Sequence, residues 1–332
     1  MTVYSKSKIL FISWAENCSR SDTIAKLLGG NSKMVYAGSL GSHYTTVWLK
    51  YLVQSWRTWK LLQQERPRVV MVMVPPIFVC IPVYIYTKLF KAGFITDNHT
   101  AAFTMSRWQP LLFLNAWFGK RALTNVVTNR HLRSYFDSWR APASVIGDLP
   151  VKFERIKTYP LTGEFFITVI CSFNDDEPLD QIWAVAAQMP KVTFYVTGKL
   201  KDAPARLLTK QPANMVMTDF LSYEEYAGLI QGSHGVMVLT TRDHTMQRGA
   251  YEAVALGTPI ITSDWPVLRE TFSRGALFVD NSPASLKAAI SELQKSSQKF
   301  KREVAALRRE RAEIWQERER ELQAVIANKL GS

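Results

Sequence analysis

Apolar and polar positions are patterned on two scales along this chain. Mostly apolar runs at residues 8–14, 69–74, 165–171, 192–197 and 236–239 are short and rich in β-branched residues, as expected of strands buried on both faces of a parallel sheet. Shorter or more polar runs at 32–37, 94–97, 123–129, 143–146, 214–218, 259–262 and 276–279 read as further strands. Between them lie segments of helical period, several opened by capping residues. Helices are predicted from Ser19-Arg20-Ser21-Asp22 through Leu28, over 45–65, 77–90, 108–121 and 132–139, from Asn174 to Met189, after Ser222, and over 249–256, 285–293 and 295–330. Strand and helix therefore alternate in two series, joined by the linker-like stretch Gly147-Asp148-Leu149-Pro150 and the polar run to Gly163. The pattern predicts an α/β protein of two Rossmann-like, parallel-sheet domains, 1–150 and 151–295. A charged helix at 296–332 follows, and crossing back to the first domain is one option for it.

Two segments leave alternatives open. In 45–65, Trp48, Leu52, Trp56, Trp59 and Leu62 share one helical face, with Lys50, Gln54 and Arg57 opposite. Either that face is core packed on the sheet, or it seats the domain on lipid. Residues 69–90 are the most apolar segment, but Pro75 and Pro76 split it into a strand and a helix of ordinary globular length, which argues against a membrane span. Trp108 to Arg121 is a second aromatic and basic helix for a membrane face.

Composition narrows the choices. A chain of 332 residues with 47% hydrophobic content buries a large core and favours two domains. Cys18, Cys80 and Cys171 are too scattered for a disulfide framework or a metal site, which favours a reducing, cytoplasmic setting. The apolar run at 9–15 is too brief for a signal peptide and ends at Glu16. Charge is asymmetric: residues 1–150 hold 18 Lys/Arg against 6 Asp/Glu, and 151–332 hold 23 against 22. Seven of the ten tryptophans lie in the basic half. Basic charge with interfacial aromatics suits the anionic inner face of a cell membrane. No zinc finger, RNP run or helix-turn-helix pattern accompanies it, so nucleic acid is not expected as a partner.

The richest chemistry lies at 235–264. A strand, a polar loop, a small-residue helix ended by Gly257 and another strand place a loop at a strand's carboxyl end and a helix's amino end, where phosphate is favoured. Arg242 and Arg248 flank that loop, Thr241, Gln247 and Gly249 belong to it, and Glu252 lies one turn into the helix on the side of Arg248. The spacing suits a nucleotide diphosphate, with the carboxylate on the ribose.

The run Glu252-Ala-Val-Ala-Leu-Gly257-Thr-Pro259-Ile-Ile-Thr-Ser-Asp264 resembles the E-A-M-A-x-G-x-P-V-V-x-S-D segment of the two-domain GT-B glycosyltransferases, particularly the family-4-like group. Asp219-Phe220-Leu221-Ser222-Tyr223-Glu224-Glu225 is similar to that family's G-F-V-S-x-E-E-L segment. The resemblance implies a GT-B architecture of two domains facing each other across a cleft, a donor ribose on Glu252, and a nucleobase near Phe220. A second glutamate usual in the family is replaced by His244. The family's diphosphate-neutralising arginine and lysine give way to Ser172, Phe173 and the acids Asp175, Asp176 and Glu177. Those acids are expected to cap the helix to Met189 rather than bind metal. Lys199 is then the best substitute cation, with Arg248 and Arg242 next. Arg20, at the start of the first predicted helix, either meets a phosphate or is a solvated surface group.

Asp97-Asn98-His99 follows the strand at 94–97, where the resemblance implies a catalytic or sugar-contacting residue. Asp97 or His99 is a candidate base for the acceptor hydroxyl; the alternative is a turn ordered by Asp97 or Asn98 with His99 merely exposed. These readings imply sugar transfer from a nucleotide-diphosphate sugar to a lipid-linked acceptor in polysaccharide or glycolipid assembly, by a peripheral membrane enzyme without a metal cofactor. A nucleotide-sugar epimerase of the same architecture and a non-catalytic membrane adaptor remain alternatives.

Overall fold

The computed structural model describes residues 8–38, 46–147 and 151–331. Thr45 and the linker residues 148–150 lie outside that set. The chain forms two compact units, one of Met1–Leu149 with Trp315–Ser332 and the other of Pro150–Ile314.

The first unit is built on six parallel strands: β1 (Ile9–Ser13), β2 (Asn31–Met34), β3 (Val69–Val74), β4 (Gly93–Asn98), β5 (Asn125–Val127) and β6 (Ala143–Val145). Their order is β2-β1-β3-β4-β5-β6, so the winding reverses between β1 and β3, where α/β sheets open a crevice at their carboxyl edge. Successive side chains of β1 and β3 point to opposite layers. Leu10, Ile12, Val70 and Val72 share a core with residues of α2 (Val47–Glu65), α3 (Cys80–Phe90), α4 (Ala101–Thr104), α5 (Leu112–Gly119) and α6 (Arg130–Ser138). Ile9, Phe11, Val69 and Met71 instead meet α1 (Ser19–Leu27) and, from the chain's last helix, Leu322 and Ile326. Each fully buried aliphatic side chain in these layers contributes roughly 1.5–3 kcal/mol.

The aromatic face of α2 is split, with Leu62 in the core and Trp59 packed against it while its first half turns outward. Gln54, Thr58 and Leu62 are its buried residues, whereas Trp48, Leu52 and Trp56 are 62%, 68% and 57% exposed. Polar groups turned inward need partners; the Gln54 amide nitrogen and the Thr58 hydroxyl have them, whereas Gln54 Oε1 is buried without one. Gln54 Nε2 donates to the Val35 carbonyl at 2.8 Å, and Thr58 Oγ1 accepts from Trp14 Nε1 at 2.9 Å. Among the described residues, no helix is long and apolar enough to cross a membrane.

The second unit repeats the architecture with β7 (Phe165–Val169), β8 (Val192–Thr197), β9 (Met215–Asp219), β10 (Gly235–Val238), β11 (Ile260–Ser263) and β12 (Ala276–Val279), all parallel. The order β12-β11-β10-β7-β8-β9 is the 3-2-1-4-5-6 winding of dinucleotide-binding sheets read from the far edge, with its reversal between β7 and β10. Helices α7 (Leu179–Gln188), α8 (Ala205–Leu208), α9 (Tyr223–Gly232), α10 (Arg248–Leu256) and α11 (Pro266–Thr271) connect the strands. The helices read at 285–293 and 295–330 are one helical run, α12 (Pro283–Gly331), broken at Ser296, whose backbone leaves the helical region.

Candidate functional site

In the second unit, the loop after β10 is fastened from several sides. The Thr240 carbonyl accepts from Trp265 Nε1 and Asn281 Nδ2, both at 3.1 Å, while the Thr240 amide donates to Ser263 Oγ at 2.9 Å. The chain then enters α10 at Gln247, whose side chain makes no capping bond. Gly249 allows a close approach, since a β-carbon there would lie 2.9 Å from the side chain of Ile170, just after β7, and would force it to shift. Gly257 ends the helix at φ 78°, in the left-handed region open to glycine.

Glu252 is buried on the first turns of α10, yet it does not face an apolar interior. Its Oε2 accepts from the Tyr226 hydroxyl at 2.7 Å and its Oε1 from Arg248 Nε at 3.0 Å. Burial, and then the neighbouring Glu252 carboxylate, push the Tyr226 phenol well above its ordinary range, so the hydroxyl stays a donor. Tyr226 was not among the sequence candidates. It lies on α9, 26 residues from its partner, and no local spacing announces the pair.

Lys199 follows β8 and Phe220 follows β9. The Lys199 ammonium lies 5.5 Å from the centre of the Phe220 ring, which is 74% exposed. Ser222 and Glu225 form the expected capping box at the start of α9. The structure thus groups Glu252 with Arg248 and Tyr226, and Lys199 with Phe220. His244 sits at φ 57° with its Nε2 3.5 Å from Asp243 Oδ2.

The acids before α7 do not cap it. Helix α7 begins at Leu179, and its cap position, Pro178, makes no side-chain bond. Glu177 instead folds back onto the Ser172 amide at 2.9 and 3.1 Å and the Asn174 amide at 3.1 Å, filling a nest of the kind that holds anions. Burial raises its carboxyl above the usual range, against the opposing pull of those amides. Asp176 ties the β7 and β10 loops together: Oδ2 accepts from Thr240 Oγ1 at 2.7 Å and its carbonyl from the Thr241 amide at 2.7 Å. Arg242 approaches the same carboxylate at 3.5 Å. A cavity of about 810 Å³ opens beside these loops, lined among others by Phe173, Asn174, Trp265 and Asn281. Thr241 is the one donor candidate that lines it.

In the first unit, Arg20 is neither a solvated group nor open to a phosphate. It is 7% exposed, with Nε 3.0 Å from Asp97 Oδ2, Nη2 3.1 Å from Asp97 Oδ1, and further bonds to the carbonyls of Ile146 and Gly147. Asp97, fully buried at the end of β4, has His99 Nε2 3.3 Å from Oδ2. Burial alone would raise the Asp97 carboxyl, but the Arg20 guanidinium and the His99 contact hold it well below the usual carboxylate range. Asp97 is thus held as an anion at the end of β4, between Arg20 and His99. An ionised carboxylate only accepts, so the His99 Nε2 that faces it is the donor of that contact.

Residues 180–324 match the family model described as Glycosyl transferase-like. No curated protein sequence matches the chain. Among solved structures, sucrose-phosphate synthase from Thermosynechococcus elongatus superposes with a TM-score of 0.73 at 13% identity, covering 97% of this chain and 99% of that one. Anabaena HepE in complex with UDP-glucose gives 0.69 at 12%, covering 95% and 99%. The calicheamicin glycosyltransferase CalG4 gives 0.58 at 11%, covering 98% of each chain. The two sheets and their helices are thus those of the GT-B fold. Within that fold, residues 180–324, most of the second unit and part of the last helix, carry the glycosyl transferase-like match.

Proposed function

We propose that the protein moves a sugar from a nucleotide-diphosphate sugar, held by the second unit, to a lipid-linked acceptor held by the first, in polysaccharide or glycolipid assembly at the inner face of a cell membrane. The observation that carries this reading is the buried Glu252 carboxylate, oriented by Tyr226 and Arg248 at the start of α10. A carboxylate so held accepts hydrogen bonds from ribose hydroxyls, while the amino end of the helix favours the diphosphate. The exposed Phe220 ring offers a surface for the base, with Lys199 beside it. The relative HepE was solved with UDP and glucose, in keeping with a nucleotide donor.

In the reaction, the acceptor oxygen bonds to the anomeric carbon as the bond to the diphosphate oxygen breaks. His99 Nδ1 takes the acceptor's proton, with Asp97 orienting the ring and stabilising the imidazolium. Lys199 and Arg248 stabilise the departing diphosphate, so the scheme calls for no metal cofactor. The test is donor affinity, with donor hydrolysis or transfer, in Glu252→Ala and Lys199→Ala. Losing one charged hydrogen bond costs about 1.5–3 kcal/mol, so roughly 10- to 150-fold weaker donor binding is expected for Glu252→Ala. Unchanged affinity in both variants would refute the donor assignment.

A further inference from the structure

The outward turn of α2 is one of three such features on neighbouring helices. On α2, Trp48, Leu52 and Trp56 recur at i, i+4 and i+8, all more than half exposed. On α3, which packs beside α2, Ile81, Ile85 and Leu89 repeat the spacing and are also exposed. On α5, reached from α3 through the Tyr84–Trp117 ring contact at 5.0 Å, Phe113 and Trp117 do the same. An exposed apolar stripe on one helix is ordinary; three on neighbouring helices are more than monomeric soluble proteins commonly leave bare.

Cations stand among these side chains. Lys60 Nζ lies 3.8 Å from the centre of the Trp56 ring and the Arg121 guanidinium 3.8 Å from that of Trp117, and Lys88 adjoins Leu89. From residue 46 to 121 the sequence holds ten Lys/Arg and only two Asp/Glu, Glu65 and Asp97, and Asp97 is buried against Arg20. Protruding tryptophan and leucine with basic side chains at their margins match a bilayer's acyl boundary and anionic headgroups. A second copy of the chain would bring like charges together.

We infer that the face formed by α2, α3 and α5 inserts into the outer layer of an anionic bilayer, with Trp48, Leu52, Trp56, Leu89 and Phe113 below the headgroups and Lys60, Lys88 and Arg121 at their level. This deepens the proposed function, resting on it for a membrane-held acceptor, and specifies binding by apolar insertion as well as by charge.

The test is flotation of the full-length protein with vesicles of phosphatidylcholine alone or mixed with phosphatidylglycerol, and with brominated acyl chains to quench inserted tryptophans. The protein should float with the mixed vesicles and show quenching, and added salt should weaken binding without abolishing it. Trp48→Ser/Leu52→Ser/Trp56→Ser should lose about tenfold or more in partitioning, given what each buried apolar side chain contributes. Leu89→Ser alone, a milder change on a different helix, should lose several-fold. Thermal shift by a nucleoside diphosphate should be the same in these variants as in wild type, separating this face from the donor site. Vesicle binding together with failure of the nucleotide test would leave the inference standing and sink the donor reading. No binding to anionic vesicles, binding unaffected by either variant, or sedimentation showing that the triple variant abolishes self-association instead, would overturn it.

Discussion

The two units share a plan of six parallel strands between helical layers, yet they leave apolar side chains bare to different degrees. The second pairs buried Glu252 with Tyr226 and Arg248 and exposes five large hydrophobic side chains among the described residues. The first buries charge, with Arg20 on Asp97, and turns Gln54 and Thr58 inward while tryptophan and leucine face solvent. Among the described residues, twelve of the seventeen large exposed hydrophobic side chains belong to the first unit. On the proposed reading, one architecture serves two surfaces, one for a charged nucleotide and one for an apolar boundary.

That contrast can be broken at several points. The largest expected effect is at the buried ion pair: Asp97→Asn strands Arg20 without a countercharge and should cost about 3–5 kcal/mol in denaturant unfolding. A loss below 1 kcal/mol would mean that the pair is not a determinant of the fold. Its pH dependence has a definite sign. Asp97 titrates below its ordinary range when folded, so the pair's contribution is complete above about pH 4 and fades as pH falls through the folded value. Wild type should therefore lose its margin over Asp97→Asn only in strong acid.

Next in size is Thr58→Val, which leaves the Trp14 indole N–H buried without its acceptor and should cost about 1–3 kcal/mol. Leu52→Ser, one and a half turns away on the exposed face of the same helix, should change stability by no more than about 0.5 kcal/mol. Reversal of these two results would return α2 to an ordinary core helix.

What was legible in the sequence follows the range of the interactions. The strands, Gly257 and the Ser222–Glu225 capping box depend on neighbours within a few residues, and the structure has them as read. Amphipathicity told which residues of α2 share a face but not which way the face turns. The turn depends on Val35 and Trp14, which lie 19 and 44 residues from their partners. Arg20 reads as a helix-start cation until Asp97, 77 residues away, claims it. The acidic run before α7 has the composition of a cap, yet its carboxylates are taken by the Ser172 and Asn174 amides and by Thr240, a loop brought near only by the β7–β10 pairing. Helices α4, α8 and α11 are 4 to 6 residues long, too short for a period to show.

The central claim is that Glu252 grips the donor's pentose while the start of α10 receives its diphosphate. A crystal of the protein grown with a nucleoside diphosphate tests this most directly. Ribose hydroxyls should lie within hydrogen-bond distance of the Glu252 carboxylate, beside Tyr226 and Arg248. Nucleotide bound in the cavity lined by Phe173, Trp265 and Asn281, with Glu252 untouched, would contradict it.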